Sequence, residues 1–263
     1  MRERVSVWQG IVLCAVLVGA TLWLAASGRL PLYIHPRYVE FTLAMALIAA
    51  VFIVAGVAFA WVRGRSGSEH SHSHGDHEHD DQEHHDHERG RGAFAVTGAF
   101  ALAAATVLCL VIVPPATLSS ATAADREMNA GAPVLDDDEL ISIGGDYTSF
   151  TVKDWASLLG QISSADYFEG ASADVVGFVT PDSEDPENVY YVSRFIVTCC
   201  AVDAQPVGVP VFEPSWRSTL DENQWVHVSG PLVANPSTGG GPAVVVDPES
   251  VELVDEPSDP YVH

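Results

Sequence analysis

Apolar residues run almost unbroken over 7–26, again over 41–62, and a third time over 94–113. A helix of about twenty apolar residues spans a hydrocarbon core. The pattern therefore predicts three transmembrane helices at those positions. Pro114 and Pro115 end the third, because proline lacks the N–H a helix needs and restricts the residue before it.

Beyond that point the pattern changes. Residues 116–146 are mostly small and then acidic, with Asp136-Asp137-Asp138-Glu139, so 114–146 reads as a linker. Thr151 with Asp154 forms an Asp variant of the capping box. Phe150, Trp155, Leu158, Leu159 and Ile162 follow at helical spacing and predict one short amphipathic helix. From Asp174 the apolar period becomes two. Strands are predicted at 175–180, 190–199, 206–212, 225–232 and 243–253, with turn-rich segments at 181–188, 221–223 and 235–242 between them. Short strands at this density predict a small β-barrel of the OB type over 147–263, with an α+β sandwich as the other arrangement they allow. The fold class is membrane plus mainly β: three transmembrane helices, then an OB-like barrel with one leading α-helix.

Composition divides the chain in the same place. A hydrophobic content of 48% accompanies a net charge of −23, so an apolar part is joined to a strongly acidic one. After Arg91 only Arg126, Lys153, Arg194 and Arg217 are basic. Nucleic-acid binding is excluded, because phosphates are neutralised by Lys and Arg. The arginines also set an orientation. Arg2 and Arg4 precede the first apolar run, and Arg63, Arg65, Arg89 and Arg91 flank the loop between the second and third. Only Arg29 and Arg37 lie between the first and second. The positive-inside rule predicts a cytoplasmic N-terminus, a cytoplasmic 68–91 loop, and an extracytoplasmic C-terminal domain in the cell membrane. Arg2, Arg4 and Leu24-Ala25-Ala26 also fit a signal peptide, which leaves that sidedness unchanged.

Two stretches carry candidate chemistry. The loop 68–91 holds His70, His72, His74, His77, His79, His84, His85 and His87, interleaved with carboxylates. Imidazole suits zinc, copper and nickel, and the surrounding acids concentrate cations. Without apolar residues the loop has no core, so a site there is fluxional. Zinc fits best, because it takes imidazole and carboxylate without demanding thiolate. The alternative is a solvated low-complexity loop.

The second stretch is F-I-V-T-C-C-A-V-D-A-Q-P-V-G-V at 195–209. Neighbours on a strand point to opposite faces. With Phe195, Val197 and Cys199 facing the core, Cys200 faces away and the two thiols cannot share an ion. A bend at Cys200 instead lets Cys199, Cys200 and Asp203 hold one metal, with His227 completing the set. Plain packing of a buried cysteine is the other reading. A thiol oxidoreductase is a third, but no C-x-x-C or helix N-terminus activates either sulfur.

Several of these segments occur together in one family. They are L-P-L-Y-I-H-P-R at 30–37, the histidine loop, V-P-P-A-T-L-S-S-A-T-A-A-D-R at 113–126, R-F-I-V-T-C-C-A-V-D-A-Q-P-V-G-V at 194–209, W-V-H-V-S-G at 225–230 and D-P-Y-V-H at 259–263. The combination resembles the YcgQ family of bacterial membrane proteins. Asp125-Arg126-Glu127 departs from it, standing where relatives have a basic stretch of small residues. The resemblance implies a permease subunit, a polytopic YcgR-type permease as partner, and a link to zinc economy. It supplies no catalytic residues. The expected function is a non-enzymatic accessory subunit of a two-component membrane permease handling zinc or another divalent metal. A stand-alone metal-binding or envelope-sensing membrane protein is the alternative.

Overall fold

The computed structural model describes residues 2–65, 105, 117–136 and 147–263. The chain forms two compact units, Met1–Pro31 with Pro36–Pro115, and Leu32–His35 with Ala116–His263.

In the first unit α1 (Arg2–Ala26) and α2 (Val39–Arg65) pack against each other and cover the first two apolar runs as helices. The end of α1 has a backbone cause. Gly28 adopts φ +69°, its N–H donates to Ala25 O at 3.1 Å, and the Arg29 N–H donates to Leu24 O at 2.9 Å. Such paired closure on a left-handed glycine is the Schellman stop. The segment Pro36–Phe59 has a mean hydropathy of 2.6 and is long and apolar enough to cross a membrane. It is the one such helix among the described residues, and Gly10–Ala26 of α1 is a shorter apolar helix. Phe41, Val51, Phe52 and Phe59 are exposed on α2, as befits a helix apolar on every side. The predicted third span, 94–113, lies outside the described residues except for Ala105, and the histidine loop lies wholly outside them.

The second unit is mainly β. Its strands are β1 (Ser172–Pro181), β2 (Val189–Ile196), β3 (Gln205–Phe212), β4 (Trp225–Ala234), β5 (Val244–Val246), β6 (Ser250–Leu253) and β7 (Tyr261–Val262). The order β1-β2-β3-β5-β4 returns to β1 through the antiparallel β1–β4 pair, so five strands close a barrel. The β3–β5 pair is parallel, with Val211 opposite Val246, and the other barrel pairs are antiparallel. Valines fill the interior: Val179, Val192, Val207, Val209, Val211, Val226, Val228 and Val246 are all fully buried. β-branched side chains suit such a pleated, enclosed surface.

The predicted helix is present as α4 (Val152–Gln161), which follows a five-residue helix, α3 (Ser120–Ala124). Thr151 and Asp154 form the reciprocal capping box. Trp155 and Leu158 are fully buried, and α4 packs against β1, β2 and β3.

The structure departs from the sequence reading in three places. Residues 117–136, read as linker, belong to the domain: Asn129 donates from Nδ2 to Gly208 O (3.1 Å) and accepts at Oδ1 from the Gly208 N–H (2.7 Å). An asparagine side chain thus imitates a strand partner for β3. The predicted strand 243–253 is split, because Pro248 has no N–H to give a ladder. β5 and β6 instead pair successively along β4. Gly230 permits this crossing, since a Cβ there would stand 2.2 Å from Asp247 O. Finally, β2 ends at Ile196 rather than at Cys199.

Candidate functional site

A second apolar cluster lies outside the barrel interior and supports the cysteine pair. Phe178, Phe195, Val197, Ala123, Ala204 and Tyr261 are buried in it, with Leu32, Leu118 and Trp225 packed at its edge. Phe195 and Val197 therefore face this cluster, as alternation along β2 requires. Alternation stops there. Past Val197 the chain bends, and Cys199 is exposed while Cys200 is partly exposed.

The bend is held by Asp203. Its Oδ1 accepts from the Thr198 N–H (3.2 Å), and its Oδ2 accepts from the N–H groups of Cys199 (2.8 Å) and Cys200 (3.3 Å). The Asp203 N–H donates back to Cys200 O at 3.0 Å. A carboxylate has about four lone-pair positions, so most of its accepting capacity is spent on the loop itself. The segment Leu32–His35 braces the loop from outside. The Ala201 N–H donates to Tyr33 O (2.8 Å) and the His35 N–H to Cys199 O (3.0 Å), which makes Ile34 and Cys200 an antiparallel bridge. Tyr261 donates its hydroxyl to Leu32 O at 3.2 Å.

The outcome is that the Sγ atoms of Cys199 and Cys200 and a carboxylate oxygen of Asp203 lie within 4.8 Å of one another. Donors around one tetrahedral zinc, bound at about 2.0–2.3 Å, stand roughly 3.5–4 Å apart. A small inward adjustment would bring the group to that spacing. The Cys199 thiol is pushed above its ordinary pKa by desolvation, then by Cys200 and Asp203. A raised thiol is a poor free nucleophile. A bound cation reverses this, because its charge stabilises the thiolate.

Among the predicted site residues, Cys199, Cys200 and Asp203 are brought together. His227 is not part of that group. It lies on β4 opposite Val176 of β1 and Glu252 of β6, with Nε2 2.5 Å from Asp174 Oδ1. The eight loop histidines, His70 to His87, lie outside the described residues. Sequence reasoning passed over His35 and His263, whose rings meet at 4.6 Å between centroids. Both were visible in the segments 30–37 and 259–263, without any hint that the two segments meet.

A separate cavity of about 620 Å³ lies beside α3, lined by Arg126, Thr180, Asp182, Glu184, Tyr191 and Asn223 among others. Thr180 Oγ1 and Arg126 Nη1 are buried there without a hydrogen-bond partner among the described residues. Two of its carboxylates bind backbone: Asp182 Oδ1 accepts from the Glu184 and Asp185 N–H groups, and Glu184 Oε2 from that of Gly241. Its one sulfur is the Met128 thioether, and no imidazole lines it.

Comparison with known families matches residues 9–129 to the DUF1980 N-terminal domain and residues 121–263 to the DUF1980 C-terminal domain. No curated protein and no solved structure matches the chain.

Proposed function

The chain belongs to the DUF1980 family, and on that premise we propose that it is a non-enzymatic accessory subunit of a membrane permease handling zinc or another divalent metal. The Cys199–Cys200–Asp203 loop receives the ion on the extracytoplasmic side. The observation that carries this reading is the convergence of two thiols and a carboxylate within 4.8 Å on a loop braced from both sides. Sulfur donors select zinc and copper(I) over magnesium and calcium.

The rest of the chain takes its role from that site. The apolar helices dock on a polytopic permease of the YcgR type, and the histidine loop gathers metal at the cytoplasmic face. The barrel is of the OB type, but its acidity directs it to cations rather than nucleic acid. The assignment of Leu32–His35 to the same compact unit as the domain supports putting both on one side of the membrane.

The test is metal analysis of the detergent-purified chain beside Cys199→Ser/Cys200→Ser and a variant with the eight loop histidines replaced. The expected result is a thiol-dependent zinc that survives loss of the histidines, and a permease that co-purifies. Equal zinc content in wild type and the double-serine variant would remove the site. A chain that purifies alone from its native membrane would favour the stand-alone reading.

A further inference from the structure

The loop offers two sulfurs, but Asp203 is a poor third ligand, because its oxygens already accept three backbone N–H groups. Better donors are adjacent. The register of the Ile34–Cys200 bridge sets His35 opposite Cys199, and the His35 N–H bonds to Cys199 O at 3.0 Å. The bond brings the backbones of His35 and Cys199 together at the bend. His263 arrives from another direction. β7 runs parallel to β2, with Tyr261 opposite Phe195 and Val262 opposite Ile196, and the Val197 N–H donates to Val262 O. This delivers His263 beside the exit of β2, with its ring 4.6 Å from that of His35. His263 Nε2 lies 3.6 Å from Asp259 Oδ1, beyond hydrogen-bond range but near enough for that carboxylate to move in as the outer partner of a metal-binding ring.

We propose that His35 and His263 complete the thiol site. The ion is held by the two sulfurs of Cys199 and Cys200 and one nitrogen from each histidine, while Asp203 remains the clamp of the loop. This rests on the reading of Cys199–Cys200 as a metal site and adds its ligand set. Two sulfurs and two imidazoles are a closed tetrahedral set for zinc. The group within 4.8 Å holds neither histidine, so both rings turn toward the sulfurs on binding. The ligands come from three distant segments: the loop between α1 and α2, the exit of β2, and the strand β7. Metal binding therefore fastens Leu32–His35 to the barrel.

Cobalt(II) titration of the full chain in detergent tests this. Thiolate-to-cobalt charge transfer separates cysteine ligation from the histidine loop, which has no sulfur. Ligand-field bands report the remaining donors. The expected result is a charge-transfer band in wild type, lost in Cys199→Ser/Cys200→Ser. In His35→Ala and His263→Ala the affinity read from that band should fall at least tenfold and the ligand-field bands should shift. Unchanged affinity and bands in both histidine variants would overturn the ligand set while leaving the metal reading intact. Absence of the charge-transfer band in wild type would overturn both. Cadmium-113 NMR of the unmodified chain at one equivalent needs no variant. A shift typical of two sulfurs and two nitrogens supports the set, and one typical of sulfur with oxygen overturns it.

Discussion

His35 donates its backbone N–H to the carbonyl oxygen of Cys199 across 3.0 Å. The bond joins the short connection between two apolar helices to the surface loop of a β-barrel. Cys199 N–H is turned inward to Asp203, so the loop uses its donor for its own bend and its acceptor for the brace. Replacing His35 by proline removes the donor and precedes Pro36, which restricts the backbone further. The expected outcome is faster labelling of Cys199 and Cys200 by a thiol reagent, by several-fold, with the barrel's melting temperature little changed. Labelling at the wild-type rate would show that the brace does not govern access to the thiols.

Asp203 should matter more for stability than a surface aspartate does. Asp203→Ala leaves the N–H groups of Thr198, Cys199 and Cys200 without their acceptor. Water reaches the loop and offsets part of the loss, so the expected cost is about 1–2 kcal/mol. Chemical denaturation of wild type and variant measures it. Asp203→Asn should recover part of the loss, because its remaining carbonyl oxygen still accepts. Two variants as stable as wild type would mean that the bend is held by Leu32–His35 alone.

Gly230 tests the closure of the barrel. A Cβ at this position would meet Asp247 O at 2.2 Å, a backbone atom with strands on both sides. The clash cannot be relieved by a rotamer change, so Gly230→Ala should destabilise the domain by about 2–4 kcal/mol. Thermal denaturation followed by circular dichroism reads this directly. A loss below about 0.5 kcal/mol, the range of ordinary surface substitutions, would show that the 247–249 connection can move aside.

The barrel was largely legible because its signal is local. Alternating valines, a capping box at Thr151 and Asp154, and turn residues between strands each act over a few positions. What escaped depends on contacts between distant segments. Asn129 looks like a linker residue until Gly208 is beside it. Phe195 and Val197 read as barrel interior, yet they pack on Tyr261 and Phe178 in a separate cluster. His227 has ligand chemistry and the right motif, but its strand directs it to Asp174. The bend that gathers Cys199, Cys200 and Asp203 was foreseen as a condition. The segments bearing His35 and His263 were noticed, but periodicity cannot say that two termini of a fold meet.

Asp185 gives a pH-dependent test of the loop between β1 and β2. It is buried, accepts from Asn188 Nδ2 at 2.8 Å, and accepts from the Ser237 hydroxyl. The Ser237 hydrogen bond leads the interactions that hold its carboxyl below the usual range, against an opposing effect of burial. The sign follows from linkage. A carboxyl with a lowered folded pKa stabilises fully above its unfolded value, about 4, and loses that contribution as pH falls through the folded one. Asp185→Asn should therefore lower the melting temperature by a constant amount from neutral pH down to about pH 4, and the gap should close in stronger acid. Melts of both proteins across that interval decide the matter. A gap that stays constant into strong acid would mean that Ser237 and Asn188 favour the site through shape alone, with no preference for the ionised carboxylate.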